Sequence, residues 1–309
     1  MAHDLDPELA AWAATIPRLD YTDLAGARAR LRAIAGAQPA YPRAAHVAVA
    51  DHTATAEDGT VVPLRVYRPA GVPGALPCLL YLHWGGFVFG DLETVHATAQ
   101  QVADVVGVVV VNVAYRLAPE HPFPAALLDC HAALRWAVEH ATELGIDPAR
   151  VGVGGESAGG GLAAALALRA RDEGGPPLRF QCLVYPALDD RLVTESARRF
   201  VDTPKWDRAS AELTWRYYLG DLDPVPAHAA PARAADLSGL PAAFVSVCEF
   251  DPLRDEGALY ARRLAEAGTS AELHVYSGTF HASISHTGAA VSRRMIREQL
   301  SAIRRSLVE

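Results

Sequence analysis

One serine in this chain stands at a spacing that nucleophilic chemistry requires. Ser157 lies at the centre of the run Gly155 to Gly159 (GESAG), which fits the pattern G-x-S-x-G. A serine at the apex of a tight strand-to-helix turn leaves no room for side chains two residues before and after it, so glycines there let the turn close. The apolar run before the motif and the alanine-rich run after it predict that strand and helix. We therefore predict that Ser157 is a nucleophile.

A serine hydroxyl needs a base to take its proton, and the base needs a third group to orient it. Asp251 and His281 each directly follow an apolar, strand-like run. Because parallel sheets bind ligands at the carboxyl ends of their strands, we expect these two side chains to meet above the sheet. Asp255 is a rival acid. His274 and His286 are weaker rivals for the base, since neither directly follows a strand.

The negative charge that forms on the substrate oxygen needs backbone N–H donors. The residue after the nucleophile, Ala158, supplies one such donor in turns of this kind. The loop His83 to Phe87 follows an earlier apolar run and contains Gly85 and Gly86, which let the backbone approach a substrate closely. We interpret His83 as a residue that holds this loop by a side-chain hydrogen bond, rather than as a second base.

The elements that must position these residues alternate along the chain. Two amphipathic helical stretches come first, marked by Leu9, Trp12, Ile16 and Leu19 and then by residues 23–34, and they end in a proline-rich linker at Pro42. A hairpin with its turn at Asp58-Gly59 follows. Strands and helices then alternate, including a valine-rich run from Val105 to Val113 that is typical of a fully buried strand. This order predicts an α/β protein with a mostly parallel central sheet, helices on both faces and an antiparallel edge.

Residues 187–241 interrupt the alternation with aromatic residues on helical-looking segments and a run rich in proline and alanine. We predict that this insertion is a cap over the carboxyl edge of the sheet, which it covers together with the N-terminal helical segment 1–42. The core is then 43–186 and 242–309. Simple packing of a surface helix pair is the alternative.

Composition limits the remaining function classes. The chain has 309 residues, half of them hydrophobic, and a net charge of −8, which argues against nucleic acid as a partner. The four cysteines form no C-x-x-C pair, so we expect buried thiols. No apolar run is long enough for a membrane span and no metal-ligand pattern is evident, so we expect a cytoplasmic protein without a metal.

Taken together, the motifs resemble the bacterial hormone-sensitive-lipase-like esterases of the α/β-hydrolase fold. The resemblance extends from about Leu80 to His281. It rests on His83 to Gly86 (HWGG), Tyr115 to Ala126 (YRLAPEHPFPAA), the GESAGG run from Gly155, and Asp251 to Asp255 (DPLRD).

This resemblance implies a serine carboxylesterase that acts through an acyl-enzyme and needs no cofactor. It implies Ser157, Asp251 and His281 as catalytic triad, Gly85, Gly86 and Ala158 as oxyanion donors, and an N-terminal cap. It also implies a homodimer through the last strand and helix, about Ala271 to Leu307. The expected substrates are small esters with short to medium acyl chains.

Three departures from the family pattern concern the substrate. Trp84 replaces the first glycine of H-G-G-G, Glu156 stands where aspartate is usual, and Ala282-Ser283 replace the usual Gly-Phe. We expect the substrate pocket to be lined by aromatic residues of the oxyanion loop and of the cap, namely Trp84, Phe87, Trp206 and Trp215.

The same nucleophile could serve other reactions. Amide, lactone or carbamate hydrolysis uses the same residues, and the sequence does not separate them. A small-molecule binding protein on this fold is a further alternative, but relatives of that type typically lose the catalytic histidine. An interfacial lipase would need an apolar lid that the sequence does not suggest.

Overall fold

A computed structural model describes residues 3–16, 19–36 and 40–309. Its centre is one eight-stranded sheet in the order β1-β2-β4-β3-β5-β6-β7-β8. β1 and β2 are antiparallel to their neighbours and form the predicted edge, whereas β3 to β8 run parallel. The strands are β1 (Val47–Thr55), β2 (Val61–Pro69), β3 (Leu76–Leu82), β4 (Val109–Val113), β5 (Ile146–Glu156), β6 (Phe180–Val184), β7 (Ala242–Phe250) and β8 (Ala271–Phe280).

Ten α-helices are present in the described part of the chain. They are α1 (Pro7–Ala13), α2 (Leu24–Gly36), α3 (His96–Val102), α4 (Ala125–Glu139), α5 (Ala141–Leu144), α6 (Ala158–Asp172), α7 (Glu195–Arg199), α8 (Arg208–Leu219), α9 (Arg254–Glu266) and α10 (Ala290–Leu307). No helix among the described residues is both long and apolar enough to cross a membrane. All four cysteines are buried thiols, as predicted.

Helices cover both faces of the sheet because successive strand side chains point to opposite sides. Leu80 and Leu82 of β3 pack in one apolar cluster with residues of α4, α6 and α9. Leu79 and Tyr81 of the same strand pack in a second cluster with residues of α3 and α10. Each strand at the centre therefore has two buried faces, which confirms the predicted three-layer α/β architecture.

The predicted strand from Val105 is too long at its start. Residues Ala103–Gly107 continue α3 as a π-helical turn, and β4 begins only at Val109. Gly107 has φ +84°, which ends the helical turn and lets the chain enter the sheet. Val106 and Val108 are buried in the same cluster. A run of valines thus indicates that the segment is buried. It does not distinguish a buried helix from a buried strand.

The N-terminal segment is helical, but its first helix is shorter than the spacing predicts. α1 ends at Ala13, so Ile16 and Leu19 lie beyond it, and residues 17, 18 and 37–39 are outside the described residues. Leu9 packs against Phe280 at the end of β8. The backbone N–H of Asp6 donates to the Gly278 carbonyl at 2.9 Å. α1 therefore lies beside β8, the strand that His281 directly follows.

Candidate active site

Ser157 occupies the tight turn between β5 and α6. Its backbone has φ 55° and ψ −117°, and its N–H donates to the Val184 carbonyl at 2.9 Å. A Cβ at Gly155 would lie 2.6 Å from the Leu82 carbonyl oxygen, and one at Gly159 only 2.1 Å from it. Only glycine fits at these two positions, so they allow the strained turn that presents the Ser157 hydroxyl.

The structure brings Ser157, His281 and Asp251 into one chain of hydrogen bonds. The Nε2 atom of His281 lies 2.9 Å from the Ser157 Oγ. The Nδ1 atom of His281 lies 2.7 Å from Asp251 Oδ2, and Asp251 Oδ1 accepts the Leu253 backbone N–H at 2.9 Å. All three side chains are buried. With Nδ1 protonated toward the carboxylate, Nε2 is left free to accept the serine proton.

The turn that carries His281 is closed by Ser283, one of the departures from the family pattern. The Ser283 Oγ accepts the Phe280 N–H at 2.8 Å and donates to the Phe280 carbonyl at 2.6 Å. Ala282 adopts a left-handed conformation with φ 60°. The departure therefore stabilises the histidine loop from within.

The rival residues have other partners. Asp255 accepts the backbone N–H of Ser196 at 2.7 Å and pairs with Arg254. His274 bonds to Glu272 and Glu298 on the outer part of the sheet, and His286 stacks on Trp12 at 4.7 Å. None of the three meets Ser157.

The predicted oxyanion loop lies beside the serine turn. Gly85 and Gly86 both have positive φ, and a Cβ at Gly85 would lie 2.3 Å from the Phe89 carbonyl oxygen. A Cβ at Gly159 would lie 2.5 Å from the His83 carbonyl oxygen, which shows how closely the loop approaches this turn. Within the described residues, no acceptor is hydrogen-bonded to the backbone N–H of Gly86 or Ala158.

His83 holds this loop, as predicted. Its Nδ1 lies 2.9 Å from the Trp84 carbonyl oxygen and its ring stacks on Tyr115 at 4.0 Å. The Tyr115 hydroxyl donates to the His83 carbonyl at 2.7 Å. Complete burial lowers the pKa of His83 to about 4, so the imidazole is neutral at pH 7 and has no contact with the Ser157 hydroxyl.

Sequence reasoning missed Tyr185, which packs edge-on to His281 at 4.9 Å between ring centres. Its hydroxyl donates to Glu156, whose other carboxylate oxygen accepts from the Tyr81 hydroxyl at 2.9 Å. Glu156, the second departure, is thus held by two tyrosines directly before the nucleophile. Tyr185 directly follows β6, and that position at a strand end was the available signal.

The four aromatic residues expected in the pocket occupy different places. Trp206 stacks on His281 with ring centres 5.5 Å apart. Phe87 stacks on Tyr218 at 4.0 Å and contacts Trp215 at 5.1 Å, so these two predicted residues pack against each other under α8. Trp84 lines a cavity of about 470 Å³ beside α2 whose lining includes neither Ser157 nor His281. Of the four, Trp206 alone stacks on His281.

One group of side chains has metal-ligand geometry. Ligand atoms of Glu57, His131 and Glu173 lie within 4.8 Å of one another, and Glu173 follows α6 at the end opposite Ser157. Arg169 pairs with Glu57 at 2.7 Å and with Glu173 at 2.9 Å. The guanidinium therefore already supplies a positive charge to both carboxylates.

Comparison with known proteins identifies one matching family model and several similar proteins. A protein-family model, described as alpha/beta hydrolase fold, matches residues 79–285 of this chain. The chain is 41% identical to esterase LipI of Mycobacterium tuberculosis, over 92% of this chain and 89% of LipI. It is 43% identical to carboxylesterase NlhH of the same species, over 87% and 86% of the two chains. A solved structure titled bacterial heroin esterase is 48% identical, with a TM-score of 0.96 over 99% of each chain.

Proposed function

Because the chain belongs to the α/β-hydrolase family, among the hormone-sensitive-lipase-like carboxylesterases, we propose that Ser157, His281 and Asp251 carry out its ester hydrolysis. The observation that carries this assignment is the continuous hydrogen-bond chain of 2.9 Å and 2.7 Å from the serine hydroxyl to the Asp251 carboxylate. Such a chain makes a serine hydroxyl nucleophilic without a metal.

The proposed reaction has two stages. The Ser157 Oγ bonds to the ester carbonyl carbon while His281 Nε2 takes the hydroxyl proton. The tetrahedral intermediate then expels the alcohol, which receives that proton from His281, and an acyl-serine remains. A water molecule then attacks the acyl carbon while His281 takes its proton. His281 returns that proton to the Ser157 Oγ as the bond to the acyl carbon breaks, which releases the acid and restores the serine.

We assign the oxyanion donors to the backbone N–H groups of Gly85, Gly86 and Ala158. The closeness of the Gly85-Gly86 loop to the serine turn supports this, as do the Gly86 and Ala158 N–H groups without an acceptor in the described chain. A donor aimed at the developing oxyanion contributes roughly 3 kcal/mol to transition-state stabilisation.

We further assign residues 1–42 and 187–241 to a cap over a core made of 43–186 and 242–309. Its support is the position of Trp206 over His281 and the contact between Trp206 and Tyr21, whose rings meet edge to face at 5.6 Å. Both segments thus reach the same place above the catalytic histidine. Trp206, whose ring stacks on His281, then restricts the substrate to short and medium acyl chains.

Hydrolysis of p-nitrophenyl esters of rising acyl length, by wild type and by Ser157→Ala, tests the assignment. We expect wild-type activity that peaks at short to medium chains, and loss of several orders of magnitude in kcat in the variant. Substantial activity of a folded Ser157→Ala protein would exclude Ser157 as nucleophile. A folded wild type that is silent on every ester but cleaves the matched anilides would move the function to amide hydrolysis.

We also propose a homodimer through β8 and α10. β8 is the edge strand of the sheet, and its residues Leu273 and Val275 are 40% and 53% exposed. An unpaired strand edge with exposed apolar residues favours pairing with a second copy. Sedimentation velocity should show a dimer that Val275→Lys converts to a monomer, and a monomeric wild type at assay concentration would refute the proposal.

For location and partners, we propose a cytoplasmic protein that does not bind nucleic acid. Four buried thiols are typical of a reducing compartment, and the net charge of −8 disfavours a polyanion. Cell fractionation and a salt-dependent DNA-binding assay would test the two statements.

A further inference from the structure

We propose that Lys205 is a positioning residue that fixes the acyl-chain limit of this esterase. Its ammonium group holds the turn that carries Trp206 against the loop that follows His281, so that the indole stays stacked on the catalytic imidazole. This inference rests on the proposed function, because it takes His281 as the base and Trp206 as the residue that limits the acyl chain.

Trp206 contacts both parts of the proposed catalytic machinery. Its ring stacks on the imidazole of His281 with ring centres 5.5 Å apart and an interplanar angle of 28°. Its Cη2 atom lies 3.0 Å from the point where a Cβ at Gly86 would stand. A displacement of this buried ring therefore changes the space beside the base and the oxyanion loop, where an acyl chain has to fit.

Lys205 directly precedes Trp206 and contacts two other segments of the chain. Its Nζ atom donates a hydrogen bond to the Ser285 Oγ at 2.8 Å. The same ammonium group lies over the ring of Trp12 in α1, 4.3 Å from the ring centre. A cation over the face of an indole is attracted by the negative charge of that face. One side chain of the insertion therefore contacts both the N-terminal segment and the loop that follows His281.

The bond to Ser285 connects Lys205 with the backbone that carries the base. The Ser285 hydroxyl accepts from Lys205 and donates to the Ala282 carbonyl at 2.8 Å. Ala282 directly follows His281. Two consecutive residues of the insertion thus contact the same loop, because Lys205 holds its backbone through Ser285 while Trp206 stacks on the imidazole itself.

The backbone of residues 203–206 forms a tight turn. Lys205 has φ 63°, a left-handed conformation that is unfavourable for a residue with a side chain. The Thr203 hydroxyl donates to the Trp206 carbonyl at 2.6 Å, and the Trp206 N–H donates to the Pro204 carbonyl at 2.7 Å. Backbone strain of this kind persists only where surrounding contacts compensate for it, and the two contacts of the ammonium group do so here.

The residue type at position 205 is exceptional in this chain. Lys205 is the only lysine among 28 lysine and arginine residues, so a compact ammonium charge occurs at this one position. The side chain is half-buried, and desolvation lowers the pKa of Lys205 to about 8, although the Glu156 carboxylate opposes this shift. Most molecules therefore carry the ammonium charge at pH 7, as the contact with Trp12 requires.

The acyl-chain limit is measured by the ratio of kcat/KM for p-nitrophenyl decanoate to that for p-nitrophenyl butyrate. Both esters are cleaved by the same sample, so the ratio does not depend on the fraction of folded protein. We expect Lys205→Met to raise this ratio about three- to tenfold, because it removes a charge-assisted hydrogen bond and a cation–π contact. The kcat for butyrate should stay within about twofold of wild type, with a higher KM.

Lys205→Arg tests whether the charge and the donor are responsible. A guanidinium can donate to Ser285 and lie over Trp12, so the ratio should return close to the wild-type value. An unchanged ratio in folded Lys205→Met would overturn the proposal, and so would an equal rise in Lys205→Arg.

Arg199→Met is the matched control. Arg199 is exposed on α7 of the same insertion, and its guanidinium lies 5.7 Å from the ring centre of Phe200. This variant also removes one positive charge from an aromatic face, but outside the turn at residues 203–206. Its acyl-chain ratio should equal that of wild type, and a rise as large as that of Lys205→Met would overturn the assignment to Lys205.

A second variant and a spectroscopic measurement decide the case in which Lys205→Met does not fold. Ser285 is exposed, and Ser285→Ala should raise the acyl-chain ratio about two- to threefold through loss of one hydrogen bond. Lysine labelled with ¹³C at Cε gives a single side-chain signal, since the chain has one lysine. The ring of Trp12 should shift its Hε protons upfield. An unchanged ratio in Ser285→Ala, or Hε protons at the random-coil position in wild type, would overturn the proposal.

Failure of the proposed function is distinct from failure of this inference. The first would appear as undiminished turnover by Ser157→Ala. The second would appear as an unchanged acyl-chain ratio in the variants of Lys205 and Ser285, in a protein whose Ser157→Ala variant has lost its activity.

Discussion

The core and the proposed cap, residues 1–42 and 187–241, hold their residues in place by different means. In the core, Ser157, Asp251 and His281 each directly follow a strand of one sheet, β5, β7 and β8. The backbone hydrogen bonds between the strands determine their positions. Hydrogen bonds between the three side chains then fix the orientation of the side chains. Because the strands are parallel, their ends meet at one edge and need no further device to converge.

In the cap, residues from two distant segments converge through side-chain contacts. Tyr21 comes from the N-terminal segment and Trp206 from the insertion, and they meet edge to face. Arg28 of α2 donates to the carbonyls of Val88 and Ala118 at 2.9 and 3.0 Å, and it pairs with both carboxylate oxygens of Glu120. The insertion and the N-terminal segment therefore depend on packing and ion pairs, where the core depends on the sheet.

This difference separates the two tasks of an esterase. Bond cleavage requires fixed distances, and rigid strand ends provide them. Substrate choice requires a surface that differs between relatives, and inserted segments provide it at small cost to the core. Substitutions in the core should therefore change kcat or global stability, whereas substitutions in the cap should change KM and selectivity.

Asp251→Asn should produce the largest change, because it alters the tautomer of His281. An amide at position 251 can donate to Nδ1, so that Nε2 carries the proton and cannot accept from Ser157. We expect kcat to fall by roughly 10⁴-fold with little change in KM. Steady-state kinetics on p-nitrophenyl acetate measures both.

Asp255→Asn is the control for this prediction. Asp255 lies four positions further along the same motif but holds the Ser196 backbone N–H, so kcat should stay within about threefold of wild type. Equal losses in the two variants would show that the acid has been assigned to the wrong residue.

The contrast between core and cap also explains what the sequence could predict. The fold and the convergence of Asp251 and His281 follow from strand order, and the glycines around Ser157 follow from the space that the turn leaves. Both predictions depend only on short stretches of sequence around each residue. Tyr185 was missed because its contact with His281 depends on the side-chain arrangement at the end of β6.

The errors have the same origin. The start of β4 was placed too early because Val106 and Val108 are buried in either secondary structure. The end of α1 was placed too late because apolar spacing continues through Ile16 after the helix has ended at Ala13. The contact of Trp206 with Gly86, across the cap and the core, has no local signature in either segment.

In the core, His83 should make the stability of the protein depend on pH, with a smaller effect than that of Asp251→Asn. Burial lowers its pKa to about 4 from a usual value near 6.5. Between these two values the unfolded chain binds a proton that the folded protein does not, so stability rises with pH across this window. The free energy of unfolding therefore keeps its full value, as far as His83 is concerned, above pH 6.5. It decreases as pH falls from 6.5 to 4, because protonation of His83 then favours the unfolded chain. The shift corresponds to roughly 3 kcal/mol.

His83→Gln removes this titration and retains a donor for the Trp84 carbonyl. Urea unfolding at pH 7 and pH 4 should show that wild type loses roughly 3 kcal/mol more stability than the variant over this range. Groups that titrate in both proteins cancel in the comparison. Parallel pH curves would mean that His83 is not responsible for the loss of stability at acid pH.

Arg28→Met, a substitution in the proposed cap, should have a smaller effect than Asp251→Asn and His83→Gln. Loss of the guanidinium removes the bonds that hold α2 to the carbonyls of Val88 and Ala118 and to Glu120, and methionine retains much of the apolar stem. A net loss of about 1–2 kcal/mol in cap docking corresponds to a rise in KM of roughly tenfold. We expect kcat to change by less than about twofold, because the hydrogen bonds of Ser157, His281 and Asp251 lie in the core.

Arg30→Met is the matched control, since Arg30 is exposed on the same helix and no described residue pairs with it. It should leave both constants unchanged. Hydrogen exchange provides the second readout, with faster exchange in α2 of Arg28→Met and unchanged exchange in β5 and β7. A fall in kcat with an unchanged KM would contradict the separation of tasks, because it would show that the cap sets the geometry of the reacting groups as well as the choice of substrate.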